Sequence, residues 1–149
     1  MNFDQIDFSF ISADSPLYHA ALELRFKVLF QPFELKKDIV EDEMEGISMH
    51  FSASYSGALL GYARLTLAGE QAIISQMVIE EDVRKQGIGA EILRHLVEKA
   101  IASGVKKISL NSRLKAIKFY EKFGFKAIGD VFASPKTRLL HMKLEKPLL

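Results

Sequence analysis

The stretch that decides the fold of this chain of 149 residues lies just past its midpoint. It reads Arg84-Lys85-Gln86-Gly87-Ile88-Gly89-Ala90. A strand-like run ends near Ile79 before it, and an amphipathic helical pattern follows it. The glycines let the backbone approach an anion closely, and the first turn of a helix carries unpaired N–H donors and the positive end of its dipole. The stretch therefore predicts a strand–turn–helix unit that either binds phosphate or uses its glycines only for packing.

Two better-known phosphate loops do not fit this stretch. A dinucleotide fingerprint needs a third glycine where Ile92 stands. A Walker loop needs Gly-Lys-Ser/Thr, and Gly89 is followed by Ala90 and Glu91. A phosphate site here would therefore be of another kind.

Outward from this stretch, the hydrophobic periodicity alternates between strand and helix. Before it, the pattern predicts a strand at residues 8–11, a helix at 16–31, and a charged loop or short exposed helix at 36–46. Three strands follow at residues 50–55, 58–67 and 71–79. After it, the pattern predicts a helix at residues 88–101, a strand at 107–110 and a short helix at 115–123. Two final strands follow at residues 126–132 and 139–144. A meander followed by a crossover helix predicts an α+β (mixed α/β) sheet.

Length and composition are those of one globular domain over residues 1–149. Hydrophobic residues make up 48% and charged residues 26% of the chain. The 20 Lys and Arg against 19 Asp and Glu give a net charge of +1, which provides no general attraction to nucleic acid or an anionic membrane. A nucleic-acid-binding domain is therefore disfavoured.

The absence of cysteine excludes a disulfide framework, a thiol nucleophile and cysteine-ligated zinc. The four histidines are scattered without the spacing of metal ligands, so we expect no metal. The N-terminus lacks the pattern of a signal peptide, and no apolar run approaches the ~18–20 residues of a membrane helix. We therefore expect a cytoplasmic protein with no membrane association.

Two motifs resemble those of the GNAT superfamily of N-acetyltransferases. The first resembles its acetyl-CoA signature and consists of Met77, Ile79, Arg84, Gly87 and Gly89. The second resembles its closing motif and consists of Ala116, Ile117, Tyr120, Glu121, Gly124 and Phe125. Further weak similarity to a bacterial subgroup of small members lies at Leu24, Arg25, Val28 and His50. The resemblance implies a GNAT-like fold, with a mostly antiparallel central sheet, one splayed parallel strand pair and flanking helices.

The resemblance also implies a site for acetyl-CoA as co-substrate. The backbone N–H groups from Gln86 to Ala90 would hold the pyrophosphate, and main-chain groups of Ile79 would pair with the pantetheine arm. The Met77 N–H would stabilise the thioester oxygen, and Tyr120 would protonate the departing thiolate, so these two are the catalytic candidates. The implied cofactor-binding residues are Met77, Val78, Ile79, Arg84, Lys85, Gln86, Gly87, Ile88, Gly89, Ala90, Asn111, Arg113, Ala116 and Tyr120.

One position departs from the family pattern. Many members have asparagine three residues before the alanine that matches Ala116, and here that residue is Arg113, with Asn111 two residues earlier. Arg113 could reach a phosphate or be solvated. Without the motif, Tyr120 would be interpreted as a core aromatic residue.

Several other polar residues allow two interpretations each. His50 is either a general base or a structural histidine. The acidic residues between Asp38 and Glu45 either attract a cationic amine or form a solvated face. Substrate contacts could further come from Glu43, Glu45, Glu70 and Gln76.

Together these observations predict an N-acetyltransferase in which an amine attacks acetyl-CoA directly in a ternary complex, since the chain has no cysteine nucleophile. The alternative is a non-catalytic acyl-CoA-binding sensor or interaction module on the same fold. The acceptor would be a small-molecule or peptide amine. Members of the family often dimerise, so a homodimer is an accompanying expectation.

Overall fold

The structure is a computed structural model that describes residues 1–148. Within them, seven strands form one sheet in the order β1-β2-β3-β4-β5-β7-β6. The strands are β1 (Asp7–Ile11), β2 (Met49–Tyr55), β3 (Ala58–Ala68), β4 (Gln71–Ile79), β5 (Lys107–Arg113), β6 (Lys126–Ala133) and β7 (Leu140–Pro147). The helices are α1 (Pro16–Arg25), α2 (Ile88–Ala102) and α3 (Ile117–Glu121). This is the predicted order of elements.

The pairing of the strands confirms the predicted fold class. Every neighbouring pair is antiparallel except β4 and β5, which are parallel because α2 crosses over between them. The parallel pairing runs only from Gln71 opposite Lys107 to Ile74 opposite Leu110. Beyond that point both strands continue without pairing to each other, so the sheet splits open towards its Ile79 end.

The first helix is shorter than predicted. Ser15 caps it, with its Oγ accepting a hydrogen bond from the Leu17 N–H at 3.1 Å, and proline follows at the first helical position. The α-helix ends at Arg25, and the chain widens into a π-helical turn at Phe26–Phe30. A 3₁₀ turn that contains Pro32 follows, because proline has no N–H with which to continue the helical ladder.

The second helix carries the predicted apolar stripe. Its buried residues are Ile88, Ile92, Leu93, Leu96 and Ala100. They pack on the face of the sheet that carries Phe51, Leu65 and Ile74, together with Phe125 beside α3. On the opposite face, α1 packs against Tyr62 and Val78. The sheet therefore has an α1 face and an α2 face.

Smaller differences lie at the ends of elements. The predicted helix over 115–123 is a 3₁₀ turn (Leu114–Ala116) followed by the short α3. The charged segment 36–46 holds two 3₁₀ turns, Lys37–Val40 and Glu45–Ile47. β5 runs to Arg113 instead of residue 110, because β7 pairs with it along its whole length. No helix among residues 1–148 is long and apolar enough to cross a membrane.

Candidate active site

A cleft of about 360 Å³ lies where β4 and β5 separate. Its lining comes from β3, β4, β5 and β7, the π-helical turn, the charged segment, α3 with the turn before it, and the β6–β7 loop. The lining residues include Val28, Phe30, Asp42, Arg64, Ser75, Gln76, Met77, Asn111, Arg113, Ala116, Tyr120, Ser134, Lys136 and His141. Beyond Ile74, β4 no longer pairs with β5 on one side, but it still pairs with β3 on the other. Such an open strand edge can pair with an extended ligand arm.

A bulge in β4 lies beside this split. Tyr62 pairs with Val78 and Arg64 pairs with Ser75, so Gln76 and Met77 together oppose the single residue Ala63. Gln76 absorbs the extra length with a positive φ of 51°, in the left-handed region. One residue of a bulge is left out of the ladder of hydrogen bonds. The bulge therefore places unpaired backbone next to Met77.

The bulge also sends two consecutive side chains to the α1 face. Ser75 Oγ accepts a hydrogen bond from Arg64 Nε at 2.9 Å. Gln76 Oε1 accepts one from Arg25 Nε at 2.7 Å, and its amide nitrogen donates to the Val40 carbonyl at 3.1 Å. These bonds fix the conformation of the bulge from the α1 side.

Tyr120 and Met77 meet on the α2 side of the split. The Tyr120 hydroxyl lies 3.8 Å from Met77 Sδ, and both residues line the cleft. Burial raises the pKa of Tyr120 to about 12, so the hydroxyl keeps its proton at neutral pH. The fold thus brings together two candidates that lie 43 residues apart in sequence.

The glycine turn has the backbone conformation that the sequence predicts. Gly87 has a φ of 89° and precedes the first turn of α2, and Lys85 also has a positive φ, of 65°. The Glu91 N–H donates to the Gly87 carbonyl at 3.1 Å, so the N–H groups before it have no helical acceptor. A Cβ atom on Gly89 would lie 3.6 Å from Phe119, in ordinary contact. Residues 84–87 are exposed, so an anion can reach the N–H groups of this turn from solvent.

Arg84 holds the start of this turn against β4. Its Nε donates to the Ile79 carbonyl at 3.0 Å. This contact occupies one guanidinium nitrogen and leaves the rest of an exposed cationic group beside the turn. Val78 packs into the α1-side cluster, so it can reach a ligand in the split only through its main chain.

A buried ionic network lies behind the cleft on the α1 face. Glu45, only 7% exposed, accepts hydrogen bonds from Arg25 Nη1 at 2.8 Å and Nη2 at 2.6 Å. The same carboxylate accepts from the Tyr18 hydroxyl at 2.7 Å and from Arg64 Nη1 at 2.9 Å. Burial alone would raise the pKa of Glu45, but the hydrogen bonds from Arg25 and Tyr18 outweigh it and lower the pKa to about 2.

Asp42 extends this network to the wall of the cleft. Arg64 donates from Nη1 to Asp42 Oδ1 at 2.9 Å and from Nη2 to Oδ2 at 3.1 Å. Lys136 adds a contact to Asp42 Oδ2 at 3.3 Å. The solvated-face interpretation is therefore wrong for Asp42 and Glu45, which turn inward because Arg25 and Arg64 are buried and need carboxylate partners. It holds for Asp38, Glu41 and Glu43, which are exposed.

His50 belongs to the same network and has a structural environment. Its Nδ1 lies 2.6 Å from the Tyr62 hydroxyl, and its Nε2 lies 3.3 Å from the Glu45 carbonyl oxygen. Burial lowers the pKa of His50, and the charge of Glu45 only partly opposes this effect. With both ring nitrogens occupied and no atom lining the cleft, His50 fits the structural role.

The remaining predicted residues line the cleft from β5 and α3. Leu110 of β5 faces α2. Because side chains alternate along a strand, Asn111 and Arg113 lie on the other face of the sheet, the α1 face. Ala116 lies on the cleft wall just before α3. Glu70, one of the candidates for substrate contact, instead pairs with Lys106 at the far end of β4.

Sequence reasoning missed Arg64 and Lys136 as residues of this site. A signal existed for Arg64, which interrupts an apolar strand pattern, because a buried cation requires a carboxylate partner. No signal marked Lys136, which lies in a polar loop between two strands.

A sheet that splits between two parallel strands, with a glycine turn and a helix after the first of them, defines the acyl-CoA N-acyltransferase class of fold. The family model for the acetyltransferase (GNAT) domain matches residues 24–146, so the chain belongs to the GNAT family.

Individual relatives are distant. An acetyltransferase of Bacillus subtilis (strain 168) is 26% identical over 117 residues, which cover 76% of this chain and 80% of the relative. The crystal structure of an acyl-CoA N-acyltransferase from Pseudomonas aeruginosa has a TM-score of 0.80 at 23% identity, covering 95% of this chain and 99% of the other. A GNAT family acetyltransferase from Elizabethkingia anophelis, solved with acetyl-CoA bound, has a TM-score of 0.76 at 19% identity, covering 96% and 99%.

Proposed function

We propose that the protein is an N-acetyltransferase that moves an acetyl group from acetyl-CoA to an amine in the cleft between β4 and β5. The observation that carries this proposal is the Tyr120 hydroxyl beside Met77 at the open edge of β4. A protonated donor and unpaired strand backbone meet there at one point of a cleft large enough for the reacting groups. Membership of the GNAT family and an acetyl-CoA-bound neighbour support the choice of donor.

The chain has suitable groups for the pyrophosphate and for the pantetheine arm of CoA. The N–H groups at the start of α2, with Arg84 and Lys85 beside them, suit the pyrophosphate. The open edge of β4 through Ile79 suits the amide-rich pantetheine arm, which can add to the sheet like another strand. Ala116, small and on the cleft wall, leaves room for the arm to reach the β4 bulge.

The chemistry then requires two donors from this chain. As an amine adds to the thioester, the thioester oxygen gains negative charge, and the backbone N–H of Met77 is our candidate for the donor that stabilises this oxygen. As the C–S bond breaks, Tyr120 donates its proton to the sulfur. The raised pKa of Tyr120, about 12, keeps that proton available at every pH at which the protein would work.

The acceptor amine must be neutral to attack, so an ammonium group first loses one proton to water or to a side chain. After the addition the nitrogen loses a second proton to solvent, and solvent returns one proton to the Tyr120 oxygen once the thiol has formed. His50 is a poor candidate for this base because its ring nitrogens already contact Tyr62 and Glu45. Direct attack in a ternary complex needs no covalent intermediate on the enzyme, in keeping with a sequence without cysteine.

A screen of amine acceptors with acetyl-CoA tests the proposal. Thiol release is followed in the presence and absence of each amine, and acetylation of the acceptor is measured by mass spectrometry. Amine-dependent release with an acetylated product is the expected result. Binding of acetyl-CoA by calorimetry without amine-dependent release from any acceptor would instead support the non-catalytic acyl-CoA sensor.

Three further expectations accompany the proposal. The single domain over residues 1–149, the homodimer and the cytoplasmic location stay predictions from the sequence. The acceptor in the proposed reaction is a small-molecule or peptide amine.

A further inference from the structure

The charged side chains that line the cleft are mostly cationic. They are Asp42, Arg64, Arg113 and Lys136, which gives a formal sum of one negative and three positive charges. Behind the wall, Arg25 and Glu45 are bound to each other and cancel. The cleft therefore presents a net positive charge to its contents, although the whole chain is close to neutral at +1.

Arg113 is the cation in this cleft with no counter-charge. Among residues 1–148, no carboxylate or carbonyl accepts a hydrogen bond from its guanidinium, although Asp42 and Glu45 are bound by other cations. Burial lowers the pKa of Arg113, and no nearby charge acts in the other direction. A half-buried guanidinium of this kind gains most from an anionic ligand that replaces its lost hydration.

Lys136 stands on the same side of the cleft with spare donors. Its ammonium makes one contact to Asp42, at 3.3 Å, and lies 5.6 Å from the centre of the Phe30 ring. Asp42 is already held by two hydrogen bonds from Arg64, so Lys136 is not fully neutralised. Lys136 is therefore a second cation that can bind an anion, and it lies on the wall formed by the β6–β7 loop.

The two cations lie apart from the surface proposed for CoA. Tyr120 and the start of α2 are on the α2 side of the sheet, whereas Arg113 projects from β5 to the α1 face. Asp42 and Lys136 are also grouped with the α1-face network. The split in the sheet thus separates a cofactor side from a side open to the acceptor.

We infer that the acceptor of this site is an amino carboxylate, whose carboxylate is bound by Arg113 with help from Lys136. This inference rests on the proposed acetyltransferase function and names its substrate class. A planar guanidinium binds a carboxylate with two parallel hydrogen bonds, which would orient the amine towards the β4 bulge. The net positive cleft also favours the neutral, nucleophilic form of the amine and disfavours a polycationic acceptor.

Matched acceptor pairs test this inference. A series of ω-amino acids of increasing length is compared with the corresponding ω-amino amides, using thiol release from acetyl-CoA with the purified protein. We expect at least one acid to have a kcat/KM about 10- to 100-fold above that of its amide, the effect of one charge-assisted contact.

Two variants complete the test. Arg113→Gln should bring the ratio of kcat/KM for the acid to kcat/KM for its amide close to one, because the amide has no carboxylate for Arg113 to bind. The Kd of the variant for CoA, measured by calorimetry, separates a loss of acceptor binding from a loss of cofactor binding. Arg138→Gln is the matched control, because Arg138 is an exposed arginine near the cleft that does not line it. It should keep the wild-type preference.

The outcomes separate this inference from the proposed function. Turnover of amides or polyamines equal to or better than that of every acid overturns the carboxylate assignment and leaves the acetyltransferase in place. Weaker CoA binding in Arg113→Gln assigns Arg113 to the cofactor and also overturns it. If the wild-type protein neither binds CoA nor acetylates any acceptor, the proposed function itself is contradicted.

Discussion

The Glu45→Gln substitution tests whether the buried network stabilises the wall of the cleft. Four donors from Arg25, Tyr18 and Arg64 converge on the Glu45 carboxylate at 2.6–2.9 Å. Glutamine keeps the shape of the side chain but removes its charge. Its amide N–H groups then face the N–H and O–H donors that the carboxylate accepted from. Arg25, which is fully buried, then has no carboxylate partner. Removing one partner of a buried ion pair costs about 3–5 kcal/mol, so we expect a loss of this size in the free energy of unfolding.

Urea unfolding followed by circular dichroism measures this loss, with melting temperature as a second readout. The expected loss corresponds to about 6–20 °C for a chain of this size. Glu43→Gln is the matched control, since Glu43 is an exposed carboxylate two residues away, and it should change stability by less than about 0.5 kcal/mol. Tyr18→Phe removes one of the four donors and should cost about 1.5–3 kcal/mol, which keeps the test usable if Glu45→Gln does not fold.

The pH dependence of stability gives an independent check. The folded pKa of Glu45 is about 2 against an ordinary value of 4.5, so its contribution is full above pH 4.5 and is lost as the pH falls towards 2. The difference in stability between the wild-type protein and Glu45→Gln should therefore shrink over this range. A Glu45→Gln variant as stable as Glu43→Gln at neutral pH would refute the reasoning.

Two further predictions concern glycines. Gly89→Glu should weaken CoA binding by at least about tenfold in calorimetry and keep the melting temperature, because a carboxylate then faces the pyrophosphate. Ala102→Glu, at the exposed far end of α2, is its control. Equal affinities of the two variants for CoA would contradict the anion site. Gly61→Ala should cost about 1–3 kcal/mol, because its Cβ would lie 2.8 Å from Ile79 Cδ1, 3.1 Å from Ile92 Cδ1 and 3.3 Å from the Val78 carbonyl oxygen. Ile79→Val deletes the nearest of these atoms and should restore part of the stability in the double variant, and no rescue would assign the strain to the other two contacts.

Local signals in the sequence were sufficient for most of the fold. The apolar stripe of α2, the glycine turn before it and the short turns of the β2–β3–β4 meander predict elements that the structure confirms. The splayed strand pair followed from the family resemblance and is present beyond Ile74 and Leu110. The end of α1 was less predictable, because a π-helical turn at Phe26–Phe30 differs from an α-helix by one residue per hydrogen bond and has the same apolar pattern.

The site was predicted less completely, because its α1 side depends on contacts between distant segments. Glu45 lies 20 residues from Arg25 and 19 from Arg64, and the acidic run around it has the composition of a solvated loop. Its inward orientation follows from two buried arginines in apolar elements, which is a signal that single-residue propensities do not carry. The position of Arg113 on the α1 face depends on the register of β5, which extends three residues beyond the predicted strand.

A single-turnover comparison of the wild-type protein and Tyr120→Phe tests the central claim most directly. Enzyme loaded with acetyl-CoA is mixed rapidly with a saturating amine, and acetyl transfer is followed by quenched flow, so that product release does not limit the rate. Phenylalanine keeps the ring beside Met77 and removes only the hydroxyl proton. The account predicts a rate about 10²–10⁴ lower with an unchanged Kd for acetyl-CoA. Equal single-turnover rates would contradict the assignment of Tyr120 as the acid and would mean that the thiolate is protonated by solvent or by another donor.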